Sequence, residues 1–178
     1  MKYLHIREYG ASVANSDDET HASSSGERSA IAMSGEQSGA TASGYVSTVS
    51  MAGDRSVAVV CGFASTASTS GHWSTAQSWG DWSTASTAGD QSLASASGRC
   101  SAATASGYQA EAVVSNVDSV AVAAGLECSA SGELDCWLVL VERDNFGVIL
   151  NVKAVQVDGI VLQPYVLYAL VNGEIVAR

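Results

Sequence analysis

GDWSTASTA (80–88) runs directly into GDQSLASAS (89–97), and the same cassette stands at GERSAIAMS (26–34), GEQSGATAS (35–43) and GDRSVAVVC (53–61). Glycine returns at every ninth residue from Gly26 to Gly107, ten times in register. A short fixed period signals one structural unit stacked many times, and it takes precedence over any local motif. Outward from the glycines the phase holds. EYGASVANS (8–16) and DDETHASSS (17–25) keep small residues in step at the front, as do NVDSVAVAA (116–124) and GLECSASGE (125–133) at the back. Fourteen consecutive units therefore fill residues 8–133.

Within the unit, position four is nearly always Ser (Ser56, Ser65, Ser74, Ser83) and position six nearly always Ala (Ala58, Ala67, Ala76, Ala85). Positions four, six and eight alternate with five and seven, which is the period-two pattern of a strand. Uniformly small residues on one side of each strand predict two sheets packed unusually close. A five-residue strand and a four-residue turn make half a coil, so 18 residues make a coil. About seven coils at ~4.8 Å each give a stack roughly 30–35 Å long. Glycine is expected to supply the tight turn, at backbone angles other residues avoid. Interior Ser hydroxyls are expected to bond to backbone groups, because an unpaired buried hydroxyl costs about 1–3 kcal/mol.

The prediction is an all-β protein, a flattened β-solenoid of nonapeptide repeats with about 18 residues per coil and a C-terminal β-hairpin cap. Residues 1–7 form a lead-in, 8–133 the solenoid and 134–178 the cap. A disordered Ser/Gly/Ala linker would not keep phase and alternation for so long. A calcium-binding nonapeptide roll shares the period but needs Asp at an interior position that is Ala in this chain.

After Glu133 the period stops and the composition turns aromatic and β-branched. Residues 137–142, 148–157 and 165–171 read as strands, with turns at 143–147, Asp158-Gly159 and Asn172-Gly173. A solenoid end exposes an unpaired strand edge and a raw core, which a compact hairpin would cover. Trp137, Leu138 and Leu140 read as the core of that cap.

The chain has a formal charge of −10. The repeat holds 13 acids against 3 arginines, while the flanks balance, so all the net charge sits on the repeat. Direct nucleic-acid binding and anionic membranes fit such a surface poorly. MKYLHIREYG (1–10) has charges where a secretory leader needs an apolar run, and the longest apolar stretches are far too short to insert in a membrane. Cys61, Cys100, Cys128 and Cys136 show no C-x-x-C pairing and read as free buried thiols in a reducing cytoplasm.

ATASGYVST around Gly44, SAATASGYQA around Gly107, VERDNFGVI (141–149) and GIVLQPYVLYALVNGE (159–174) together resemble a group of uncharacterised proteins from phages and other mobile elements. Those proteins carry runs of a nonapeptide close to A-S-A-T-G-Y-x-S-A followed by a β tail. Where they commonly have Trp-Tyr, this chain has Leu167-Tyr168. The resemblance implies a phage-type setting, in the cytoplasm of a bacterial host or in a virion. It implies no activity, catalytic residue or cofactor.

No reaction is visible in the residues either. His5, His21 and His72 are scattered, so the abundant serines lack a base, and no phosphate loop or metal-ligand spacing is present. No enzyme, cofactor or metal is expected. What remains is surface, which the coil length places. Thr48, Thr66 and Thr84 align in one column, with Ser50, Ser68 and Ser86 beside it, making a flat face. At the turns Asp18, Glu36, Asp54 and Asp90 form an acidic column interrupted by His72. Tyr45 and Phe63 stack on the other edge, with Trp82 next to them and Trp73 and Trp79 nearby.

Three functions follow. The first is an interaction module that offers Tyr45, Phe63, Trp73, Trp79 and Trp82, with Glu36, Asp54 and Asp90, to a host protein. The second is a virion fibre or adhesin that binds cell-surface glycan through the same aromatics, which as a fibre would be a homo-oligomer. The third is an ice-binding protein that uses the Thr/Ser face. The first is the leading expectation.

Overall fold

A computed structural model describes residues 2–178 and contains no helix. The four-residue strands fall at positions five to eight of each unit and alternate between two sheets. One sheet stacks β1 (Lys2–Ile6), β3 (Thr20–Ser24), β5 (Gly39–Ala42), β7 (Val57–Val60), β9 (Thr75–Ser78), β11 (Leu93–Ala96), β13 (Glu111–Val114) and β15 (Ser129–Ser131) in order. The other stacks β2 (Ser12–Asn15), β4 (Ala30–Met33), β6 (Thr48–Met51), β8 (Thr66–Thr69), β10 (Thr84–Thr87), β12 (Ala102–Ala105) and β14 (Val120–Ala123). All these pairs are parallel and in register at 18 residues, as in Thr66↔Thr84↔Ala102. The chain is a β-solenoid.

Inward positions four, six and eight are buried along the stack. Ala58, Ala67, Ala76, Ala85, Ala94 and Ala103 are fully inaccessible at position six. The position-four serines form a ladder between coils. Ser83 Oγ accepts the Ser65 N–H at 3.1 Å and donates to the carbonyls of Gly62 at 3.1 Å and Asp81 at 3.3 Å. The expected pairing of interior hydroxyls thus holds along most of the column. Ser24, Ser47 and Ser78 differ, with buried hydroxyls that have no partner.

The glycine works differently from the expectation. None of the ten repeat glycines has a positive φ; the left-handed residue is the one at position three, from Glu19 (φ 52°) through Ala64 (φ 51°) to Glu127 (φ 56°). Glycine is required for closeness instead. A Cβ on Gly62 would lie 1.9 Å from the carbonyl oxygen of Gly44 in the preceding coil, and one on Gly80 2.1 Å from that of Gly62.

The boundaries at both ends also differ. In the described part of the lead-in, β1 pairs residue for residue with β3, so the first half-coil begins there; residue 1 lies outside the described residues. At the other end the solenoid outlasts Glu133 by a half-coil. Asp135 takes the left-handed place (φ 66°) and Cys136 the serine place, its Sγ 2.9 Å from the Asn116 carbonyl. The register shortens to 17, so that β16 (Trp137–Arg143) pairs in parallel with β14 as Val120↔Trp137. One residue has dropped from the turn, which hid the unit in the sequence.

β17 (Ile149–Gln156) then folds back antiparallel on β16, and β18 (Tyr168–Val171) joins β15 and forms a hairpin with β19 (Glu174–Ala177). The strand expected at 165–171 is confined to its last four residues, and β19 was unforeseen. Asn172 (φ 51°) and Gly173 (φ 74°) make the tight hairpin turn that two left-handed residues favour. Glu142 anchors it by accepting the Asn172 and Gly173 N–H groups and the Asn151 amide, and these bonds hold its carboxyl below the usual glutamate range, the Asn151 bond foremost. Leu138 and Leu140 are buried, on the inward side of β16 in that last half-coil. Trp137 is not; it lies on the outward side of β16, 46% exposed, because the strand alternation continues through it.

Of the four thiols, all free, only Cys128 and Cys136 are buried, and burial raises both above the usual thiol range. Cys61 at position nine is exposed and Cys100 at position three half-buried, since both positions point away from the core.

The two roles in one turn separate in stability measurements. Gly62→Ala should lower the urea midpoint by the equivalent of about 3 kcal/mol or more, an overpacking cost. Ala64→Gly, two residues on, should raise it by up to about 1 kcal/mol by relieving the left-handed strain. Equal destabilisation by both would contradict this division.

Candidate functional site

Because strands alternate between sheets, successive turns fall on opposite edges. Turns that lead into β4, β6, β8, β10 and β12 make one edge, and those that lead into β5, β7, β9, β11 and β13 make the other. Backbone ladders run along each. Val46 N–H donates to Phe63 O and Trp82 N–H to Arg99 O on the first, and Arg55 N–H to His72 O and Trp73 N–H to Asp90 O on the second.

The first edge gathers Tyr45, Phe63, Trp79 and Trp82. Tyr45 and Phe63 stack face to face, with centroids 5.2 Å apart and planes at 5°. Trp79 and Trp82 are 61% and 64% exposed, and neither stacks on another ring among the described residues. Trp82 also occupies the left-handed position (φ 58°), which costs a residue with a Cβ about 1–2 kcal/mol relative to the ordinary conformation. The coil itself gains little from a tryptophan there.

Trp73 stands apart from these four. It lies on the second edge with the acids, where the Arg55 guanidinium sits 5.5 Å from its ring centroid and its indole N–H donates to Gln91 Oε1. The single aromatic surface that groups Trp73 with Trp79 and Trp82 is therefore divided between two edges.

The acidic column forms as the period implies, and three of its four acids, all but Glu36, have a local task. Asp18 Oδ1 accepts the Glu36 N–H, Asp54 Oδ1 the His72 N–H and Asp90 Oδ1 the Tyr108 N–H, at 2.7–2.8 Å. His72 does the same with Nδ1, accepting the Asp90 N–H at 3.1 Å. Each side chain caps the turn one coil later. Asp81 caps the Arg99 N–H at 2.8 Å on the aromatic edge as well. These acids are thus accounted for by turn capping, independently of any partner.

The outward face of the second sheet is uncharged from Ser12 to Val122 among the described residues. Thr48, Thr66 and Thr84 align, as do Ser50, Ser68 and Ser86, with Ser50 and Ser68 Oγ 3.0 Å apart. Ala30 and Ala102 end the threonine column on either side. An open trough of about 850 Å³ runs along this face from Ala14 to Ser106, over the buried Met33, Met51, Thr69 and Thr87.

No known family, curated protein or solved structure matches the chain. Among the described residues, no group of three or more His, Cys, Asp or Glu side chains could hold a metal ion, and no helix is long and apolar enough to cross a membrane.

The capping role has a direct test. Asp54→Ala should lower unfolding free energy by about 1 kcal/mol, as expected for a lost charge-assisted turn bond. Asp54→Asn, which keeps an acceptor for His72 N–H, should recover most of it. Equal losses in urea melts would show that charge, and not the bond, matters.

Proposed function

We propose that the protein is a non-enzymatic, phage-type interaction module that docks a host protein along its aromatic edge. The observation that carries this reading is the exposure of Trp79 and Trp82 without a stacking partner, beside the Tyr45–Phe63 stack. Large aromatic anchors with a rigid backbone beneath them lose little entropy on binding and dominate interface energies. A β-solenoid edge supplies that rigidity, since each turn is bonded to the turns above and below. The resemblance to phage and mobile-element proteins supports a phage-type setting. Asp18, Asp54 and Asp90 of the opposite edge, engaged in capping, are not needed for this contact.

Tagged protein should retain a stoichiometric partner from bacterial lysate, read by mass spectrometry. Trp82→Ala should weaken the complex by roughly 30-fold, the loss typical of an interface hot spot. Trp73→Ala, on the other edge, should leave the complex intact, and both variants should keep the β-sheet spectrum. A complex lost equally in both variants, or in neither, would place the contact elsewhere.

The in-register Thr48–Thr66–Thr84 and Ser50–Ser68–Ser86 columns favour a second reading, an ice-binding protein. It requires that micromolar protein suppress ice recrystallisation and that Thr66→Lys, in the middle of the Thr/Ser face, abolish the effect. Growth of crystals at the buffer rate would remove that reading.

A further inference from the structure

We propose that the acidic edge holds a receptor site for an arginine side chain of a partner, set between Trp73 and Tyr108. The site lies on the edge opposite Trp79 and Trp82 and stands or falls independently of the aromatic-edge reading. A recess of about 250 Å³ opens there, lined by His72, Trp73, Asp90, Gln91 and Tyr108. Trp73 belongs to the coil before the Asp90–Gln91 pair and Tyr108 to the coil after it, as their backbone bonds show. Two coil spacings of ~4.8 Å set the backbones of Trp73 and Tyr108 about 9–10 Å apart along the stack. An aromatic residue thus stands on each side of a carboxylate.

The donors and acceptors of the recess are unbalanced toward acceptors. Asp90 uses Oδ1 for the Tyr108 N–H at 2.7 Å. Its Oδ2 lies 3.5 Å from His72 Nδ1, but that nitrogen accepts the Asp90 N–H at 3.1 Å and has no proton to offer the carboxylate. Asp90 lines the recess, and its Oδ2 accepts no hydrogen bond. The column beyond it leads through Gln91 and Gln109 to Glu127, again an anion. Two cations lie close by without lining the recess: Arg55 stacks on Trp73 from the preceding coil, and Arg178 donates to the Glu127 carbonyl beyond Tyr108.

That stack is also the chemical precedent. A guanidinium already rests against Trp73 on one side, and the recess offers the same ring, a second aromatic and a free carboxylate oxygen on the other. A planar guanidinium stacks on aromatic faces and donates forked N–H groups to a carboxylate, whereas an ammonium is compact and more strongly hydrated. The −10 net charge, concentrated on the repeat, draws a basic partner toward the edge.

The test is a titration of acetyl-Gly-Arg-Gly-amide into isotope-labelled protein, following the Trp73 indole and Tyr108 amide signals by NMR. Saturable shifts at both are expected. The citrulline and lysine analogues should bind at least about fivefold more weakly, and so should the arginine peptide to Asp90→Asn, which keeps an acceptor for the Tyr108 N–H. Tyr108→Leu removes the second wall and should weaken binding by a similar factor should Asp90→Asn disturb the fold. Absence of saturable shifts, equal binding of the citrulline peptide, or unchanged affinity in both variants would overturn the proposal.

Discussion

The approach of each repeat glycine to the carbonyl of the coil before it sets the rest of the structure. Gly80 comes so close to Gly62 that a single carbon would overlap the oxygen. Along the glycine run every coil has 18 residues, and a constant coil length is what turns a linear sequence into columns. It also permits the thin interior. Alanine at position six buries little area per residue, so the hydrophobic return per coil is small. The stack compensates with close packing and with an almost complete backbone ladder, to which the serine column adds a side-chain rung between coils.

The same columns give the aspartates of the edge a structural duty, which occupies one oxygen of each carboxylate. Asp18, Asp54 and Asp90 recur at position two because a short acceptor there reaches the N–H one coil on. His72 can take the place of an acid because its Nδ1 accepts equally well. Position three has no such duty, and its left-handed backbone suits glycine better than any side chain. Large residues at position three, Trp73 and Trp82 above all, are therefore the ones that the coil does not explain.

The coil, the strand alternation and the threonine, serine and acid columns were legible in the chain because period and parity determine them. What was hidden depends on contacts between coils. Glycine at position one looks like a turn residue with unusual angles, yet the left-handed place is two residues later, held by residues as different as Gln37, Ala64 and Trp82. A ninefold period treats both edges alike, so Trp73 and Trp82, nine residues apart, read as neighbours when they lie on opposite sides. The final half-coil escaped notice because Asp135 and Cys136 arrive one residue early and cysteine stands in for serine. Trp137 looked like core by composition, whereas its place on the outward side of β16 follows from parity.

The distribution of variety along the unit argues that recognition belongs to the turns. Positions four and six are mostly Ser and Ala and are otherwise filled by residues such as Thr20, Ile31 and Val49, and the outward positions of the second sheet stay small from Ser12 to Thr104. Positions two and three, by contrast, pass through Glu27-Arg28, Tyr45-Val46, Phe63-Ala64, Asp81-Trp82 and Arg99-Cys100 on one edge alone. Position three can vary because the ladder beneath it uses main-chain groups, and position two varies among short acceptors that cap the next coil and aromatic residues that do not. Each edge is thus a row of side-chain pairs set at the coil spacing of about 4.8 Å. A surface built in this way can be altered one coil at a time, so an aromatic edge and an acidic edge can be shaped for different contacts on one rigid rod.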